Sequence, residues 1–126
     1  MKVNNCFVYP KTVRESIEGV RHYDVGKEKL PSVTTILKAT ESEEKKQSLA
    51  NWASRIGDSA AEKIKEESAA RGTAMHKILE KYILEQGYLD LTNVGKQAHN
   101  MAIRVIEQGL CNVSEYYGTE CTLYYP

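Results

Sequence analysis

The chain is poor in the features that announce most chemistries. Its three cysteines, Cys6, Cys111 and Cys121, are odd in number, widely spaced and form no C-x-x-C pair. That supports neither a zinc knuckle nor a disulfide framework, and reduced, mostly buried thiols are expected. No apolar run approaches the ~20 residues of a membrane span, and the opening Met1-Lys2-Val3-Asn4-Asn5-Cys6 has no signal-peptide core behind its lysine. The expected compartment is the cytoplasm, that of the host cell if a phage encodes the chain, with no membrane partner. A surplus of one charge is missing too: 17 basic and 17 acidic residues cancel, so nucleic acid can be attracted only by a local patch. Internal repeats and low-complexity segments are absent, which leaves solenoid and linker readings unsupported.

What remains describes one ordinary domain. With 126 residues, 41% hydrophobic and 27% charged, and a mean hydropathy of -0.50, the chain can bury one sizeable core but gives no argument for two. Cys6-Phe7-Val8-Tyr9 stops at Pro10, and Val20-Arg21-His22-Tyr23-Asp24-Val25 runs into Gly26-Lys27, so the two are expected to form a small hairpin ahead of Leu30-Pro31. Ser32 is placed to cap a helix over Val33–Ala39, although four β-branched residues in a row oppose it. Ser42, followed by Glu43 and Glu44 at the positive end of the dipole, starts a second helix that Gly57 ends. Asp58 is read as the cap of the longest helix, whose apolar positions Ala61, Ile64, Ala69, Met75, Leu79, Tyr82 and Ile83 continue to a terminal Gly87. Thr92 or Asn93 starts a fourth, with Ala98, Met101, Ala102, Val105 and Ile106 on one side and Gly109 at its end. From Val113 to Tyr125 the composition turns to that of strands, with four tyrosines around Gly118-Thr119.

Chemistry is suggested in one place, Arg71-Gly72-Thr73-Ala74-Met75-His76-Lys77-Ile78-Leu79-Glu80. His76 and Glu80 lie one turn apart and face roughly the same way. On a wheel drawn at about 100° per residue they border the apolar stripe of Met75, Leu79, Tyr82 and Ile83. Gly72 costs about 1 kcal/mol relative to alanine inside a helix, which makes sense where another backbone or a phosphate comes close. Arg71, Thr73 and Lys77 add donors suited to phosphate. The plain alternative is a surface pair worth a few tenths of a kcal/mol, and spacing alone does not choose between the two. His22 and His99 have no set of ligand partners on their own elements and are read as structural. Trp52 with Arg55 could stack on a base, or be a core tryptophan beside a solvated arginine.

Three stretches in order widen the view: Leu30-Pro31-Ser32-Val33-Thr34-Thr35-Ile36-Leu37, then Leu49-Ala50-Asn51-Trp52 with Arg55-Ile56-Gly57, then Arg71 to His76 with Glu80-Lys81-Tyr82. Together they resemble the N-terminal half of a phage or mitochondrial-type DNA exonuclease, of the RecB-like branch of the PD-(D/E)XK nuclease superfamily, over roughly residues 20 to 126. The resemblance implies that His76 lies at the active site and contacts a divalent metal or the scissile phosphate. It makes Glu120 the metal-side glutamate of the first strand of the catalytic sheet, and Glu80 a supporting acid. Arg71, Thr73 and Lys77 would contact DNA, and Gly72 would support them. The family's next segments carry a metal-binding aspartate and an Asp/Glu-x-Lys strand. These are expected beyond Pro126, Asp90 not standing in the family's catalytic place.

The expected fold is α+β: strands in residues 1–31, a helical part over 32–109 built mainly from 43 to 108, and the first strand or strands of a restriction-endonuclease-like sheet in 112–126, all within one partial domain. The expected function is the N-terminal part of a Mg2+- or Mn2+-dependent DNA exonuclease that hydrolyses phosphodiester bonds. Without the aspartate and lysine, the isolated chain is expected to be inactive or severely impaired. Two other classes stay open. One is a non-catalytic DNA-binding module derived from such a nuclease; the other is an interaction protein whose strand edge pairs with a second polypeptide that completes the nuclease sheet.

Overall fold

Short polar caps and glycines divide the chain into elements much as local chemistry dictates. In the computed structural model, which describes residues 1–26 and 28–125, the order is β1 (Lys2–Val3), β2 (Val13–Ile17), β3 (Val20–Asp24), β4 (Lys29–Pro31), α1 (Val33–Ala39), α2 (Glu43–Ile56), α3 (Asp58–Ile83), α4 (Asn93–Gln108), a 3-10 turn (Leu110–Asn112) and β5 (Glu115–Tyr116). Among the described residues the architecture is α+β, with four α-helices and two small sheets. Lys27, half of the expected Gly26-Lys27 turn, and Pro126 lie outside the described residues. The chain divides into two compact units, one of Met1–Phe7 with Gly57–Glu120, the other of Val8–Ile56 with the residues from Cys121.

In the second unit β2, β3 and β4 form an antiparallel sheet in that order. The hairpin differs from the expected one: Cys6–Tyr9 is not a strand, and β3 pairs instead with β2, Ile17 opposite Val20. Glu18 and Gly19 make the turn at φ 52° and 77°, the left-handed pair that suits a two-residue hairpin. Glu-Gly is a weak turn signal beside Asn-Gly, which is why Pro10 drew the boundary in the wrong place. Ser32 caps α1 by accepting from the Thr35 N–H at 3.2 Å, and Ser42 accepts from the Lys45 N–H at 3.2 Å at the start of α2. Gly57 ends α2 in the left-handed region, at φ 91°.

The first unit is built on α3 and α4. Asp58 is the first helical residue of α3 rather than its cap, which is Gly57 with no side-chain bond; the aspartate still faces the positive end of the dipole. The helix stops at Ile83, before Gly87, because Glu85 takes the left-handed position at φ 56°. The Glu85 N–H donates to the Tyr82 carbonyl and the Gln86 N–H to the Lys81 carbonyl, the double bond of a Schellman motif. Thr92 caps α4, accepting from the Gly95 N–H at 3.0 Å. Asp90 in turn accepts from the Thr92 N–H at 3.0 Å and its hydroxyl at 2.6 Å, while the Asp90 N–H donates to His99 Nε2 at 3.1 Å. His99 therefore serves the loop before α4.

Small residues set the core of this unit. Ile78 packs with Ala98 and Ala102, with Ala74, Met75, Leu79 and Tyr88 around them. The expected stripe on α3 is turned: Ile64 and Tyr82 are exposed, while Ile78, absent from that stripe, is buried. Large apolar side chains drew the stripe, whereas α4 presents two alanines that admit Ile78 and Ala74 closely. The thiols also depart from expectation, since Cys6 and Cys111 are exposed and Cys121 is half-buried, none of them in a disulfide. Of the described residues 112–125, only Glu115–Tyr116 are a strand, and they pair in parallel with Lys2–Val3 rather than standing as an open edge. Among the described residues no helix is long and apolar enough to cross a membrane.

Candidate functional site

His76 owes its place to the helix that carries it. It is two residues before buried Ile78, about 200° around the helix at 100° per residue, so it faces away from α4 and is exposed rather than bordering the core. Ala69, Gly72, Thr73 and Glu80 fall on the same side of α3 by the same count, within about 60° of His76. With Lys77, Lys81 and Glu120 they line one open groove of about 610 Å³. The structure thus brings together Gly72, Thr73, His76, Lys77, Glu80 and Glu120.

Arg71 is left out of the groove. It stands seven residues before Ile78, on the α4 side of α3, and its guanidinium donates to Gln97 Oε1 at 3.3 Å and to Ser68 Oγ at 3.5 Å. Ala69, expected on the apolar stripe of the helix, and Lys81, expected in no site role, line the groove as well. The periodicity of seven and four residues around His76 would have found Ala69 and Glu80 together. The two lysines are partly committed: Lys77 Nζ lies 5.1 Å from the centroid of the Tyr88 ring, and Lys81 Nζ donates to Gln86 Oε1 at 2.9 Å.

Glu120 reaches the groove from a bend, not from a strand. Its φ is 51° and it follows β5 by four residues, so the expected place on a catalytic strand is corrected. The Val113–Tyr125 segment has the side chains of a strand, but among the described residues only Glu115–Tyr116 are in a strand ladder, with Lys2–Val3. Even so, Glu120 Oε1 lies 3.9 Å from His76 Nδ1. Both side chains are well exposed, 58% and 69%, so as an ion pair the contact adds little stability in water. Glu115, in the same segment, raises the Tyr117 phenol above its ordinary value of 10.0, first by its charge and then by a hydrogen bond.

The separation of 3.9 Å lies within the span of two ligands each about 2.1 Å from one ion. A nitrogen and a carboxylate oxygen are acceptable donors to Mn2+, and Mg2+ also binds through one or two protein carboxylates with waters and phosphates filling the rest. The pair therefore fits part of a divalent-metal site. Among the described residues there is no group of three or more His, Cys, Asp or Glu that could hold a metal ion. The Asp/Glu-x-Lys triplets of the sequence, Glu43 to Lys45 and Glu44 to Lys46, lie on α2. Residues two apart diverge on a helix, so neither triplet can act as the family's strand does.

No protein-family model matches the chain, and no curated protein and no solved structure matches it.

Proposed function

We propose that this chain supplies the helical, histidine-bearing side of a divalent-metal-dependent DNA exonuclease of the RecB-like PD-(D/E)XK type, acting in the cytoplasm. One observation carries the reading. His76 and Glu120, which the resemblance assigned to the metal side from two separate motifs, stand 3.9 Å apart in one groove although 44 positions separate them. A conventional surface pair on one helix would need no such convergence.

In this reading His76 Nδ1 and Glu120 Oε1 hold a Mg2+ or Mn2+ ion. The ion, when bound, supplies Lewis-acid polarisation of a phosphoryl oxygen and a more acidic water. Thr73 offers a hydroxyl to a phosphate oxygen one turn before His76, Lys81 offers a cation at the far end, and Glu80 accepts from waters or sugar hydroxyls in the groove. Lys77 keeps its contact with Tyr88, and Arg71 steadies α3 on α4 instead of touching DNA. The aspartate and the Asp/Glu-x-Lys strand of a restriction-endonuclease-like sheet are to come from polypeptide outside these 126 residues, in the same chain or in a partner. A purely electrostatic DNA-binding module is less well supported, because the groove pairs two lysines with two glutamates and a phosphate would meet carboxylates unless a cation intervened.

The test is Mn2+ titration followed by paramagnetic broadening of side-chain NMR signals. Broadening should centre on His76 and Glu120 and weaken at least about tenfold in affinity in Glu120→Gln, as loss of one of two ligands implies. Short DNA should bind more tightly with Mn2+ than with chelator. Broadening spread over unrelated carboxylates, or DNA binding indifferent to both Mn2+ and His76→Ala, would overturn the reading.

A further inference from the structure

Glu120 has no regular element of its own, yet it is delivered to His76. What precedes it is tied at four places to the first seven residues of the chain. The Lys2 N–H donates to the Ser114 carbonyl and the Asn4 N–H to the Tyr116 carbonyl, both at 2.8 Å. Asn4 Nδ2 donates to Glu115 Oε1 at 2.9 Å, and the Phe7 ring meets the Tyr117 ring at 5.4 Å between centroids, tilted by 56°. Tyr117 is then three residues short of Glu120.

We infer that the segment Met1–Phe7 is a positioning element for the Glu120 side of the metal site, holding residues 114–117 so that the following bend carries the carboxylate to His76. The inference rests on the metal-site reading above and adds a part that neither the sequence motifs nor the resemblance assigned. Its physical basis is the contrast between a one-ended and a two-ended attachment. A bend at positive φ without a ladder of its own samples many conformations. The clamp at Tyr116 and Tyr117 ends three residues short of Glu120 and so limits where the bend can carry the carboxylate. The Phe7–Tyr117 contact completes the clamp: it adds a ring-on-ring contact between the two segments, whereas β1 and β5 exchange bonds over only two residues each. Two-residue strands are marginal alone, so the ring pair and the Asn4 amide are needed to keep them paired.

The full chain is used for the test, with Mn2+ as probe. Phe7→Ala and, separately, Asn4→Ala are each made in the unaltered chain and in Glu120→Gln. If Phe7 acts through Glu120, its loss weakens Mn2+ binding about tenfold, the lower end of what losing a support to a ligand costs. The same change has no further effect once Glu120 is glutamine, because groups that act through one another are not additive. Asn4→Ala shows the same pattern with a smaller drop, and Phe7→Leu restores most of the affinity. In metal-free protein, 15N relaxation should show the amides of residues 117–120 becoming mobile in Phe7→Ala while those of α3 and α4 stay unchanged.

Equal losses in both backgrounds would mean a general structural role and overturn the inference. So would an unaltered affinity in Phe7→Ala and Asn4→Ala while Glu120→Gln still weakens binding, a result that leaves the metal site standing. If Glu120→Gln itself leaves Mn2+ binding untouched, the metal site falls and the positioning role falls with it.

Discussion

The two sides of the candidate site are held in opposite ways. His76 rides on a helix of 26 residues, fixed by bonds four residues apart and by a neighbouring helix packed through alanines. Glu120 follows a segment held by backbone pairing between positions more than a hundred residues apart. The contrast teaches that a site can be half local and half global, and that the two halves fail for different reasons. Damage to α3 and α4 should cost stability first, and damage to the tail should cost ligand geometry first.

The sharpest break is expected at Gly95. A Cβ there would overlap both the carboxyl group and the backbone carbonyl of Asp90, and backbone cannot swing aside as a side-chain tip can. Gly95→Ala should destabilise the first unit by about 3 kcal/mol, the upper end of overpacking costs, measured by urea unfolding followed by circular dichroism. An unchanged midpoint would show that the Asp90 turn yields freely and that α4 is not the rigid partner described above.

Gly72 is the opposite case. It lies inside α3 and lines the groove, and an added Cβ would meet no heavy atom within 4 Å. No neighbouring backbone explains the glycine, so Gly72→Ala should raise stability by up to about 1 kcal/mol through helix propensity while lowering Mn2+-dependent affinity for DNA. Thermal unfolding and a binding isotherm on the same sample separate the two effects. A stabilised variant that binds DNA as before would remove Gly72 from the contact surface.

The smallest effect concerns pH. The Thr92 hydroxyl, and then the Thr92 N–H, hold the Asp90 carboxyl below its ordinary value of 3.8, against a small opposing desolvation; His99 and Lys77 add minor help. The folded value is the lower one, so the contribution is fully present above about pH 3.8, the ordinary value, and fades as pH falls through the folded value. Asp90 is only half-buried, and solvent screening keeps the effect small. Unfolding midpoints of the unaltered chain should therefore fall more steeply into acid than those of Asp90→Asn, and parallel curves would deny the carboxylate that role.

What could be read from the sequence follows the same division. Ser32, Ser42 and Thr92 cap helices where their side chains and successors predict, because a cap needs only three or four neighbouring residues. The helix carrying His76 was equally legible. Its rotation was not: Ile78 faces Ala98 and Ala102, and a stripe drawn through large residues overlooks alanines that let helices approach. Arg71 stands outside the groove for the same reason, since the turn of the helix that buries Ile78 also sends Arg71 toward Gln97. The end of α3 slipped because Glu85 occupies a conformation that Gly87 seemed better made for. Least legible was the tail. Tyrosines and threonines advertise a strand, but only a partner decides whether one forms, and Lys2–Val3 carries no signal that points to residues 115 and 116.

The parallel pairing of β1 with β5 also sets an order of events. Contacts between near neighbours close quickly, whereas a contact spanning almost the whole chain must wait until the intervening loop has been shortened by other structure. On that account the His76 face exists as soon as α3 and α4 have docked, and Glu120 arrives only after Tyr116 has found Asn4. In that order the groove gains its Glu120 side at the close of folding.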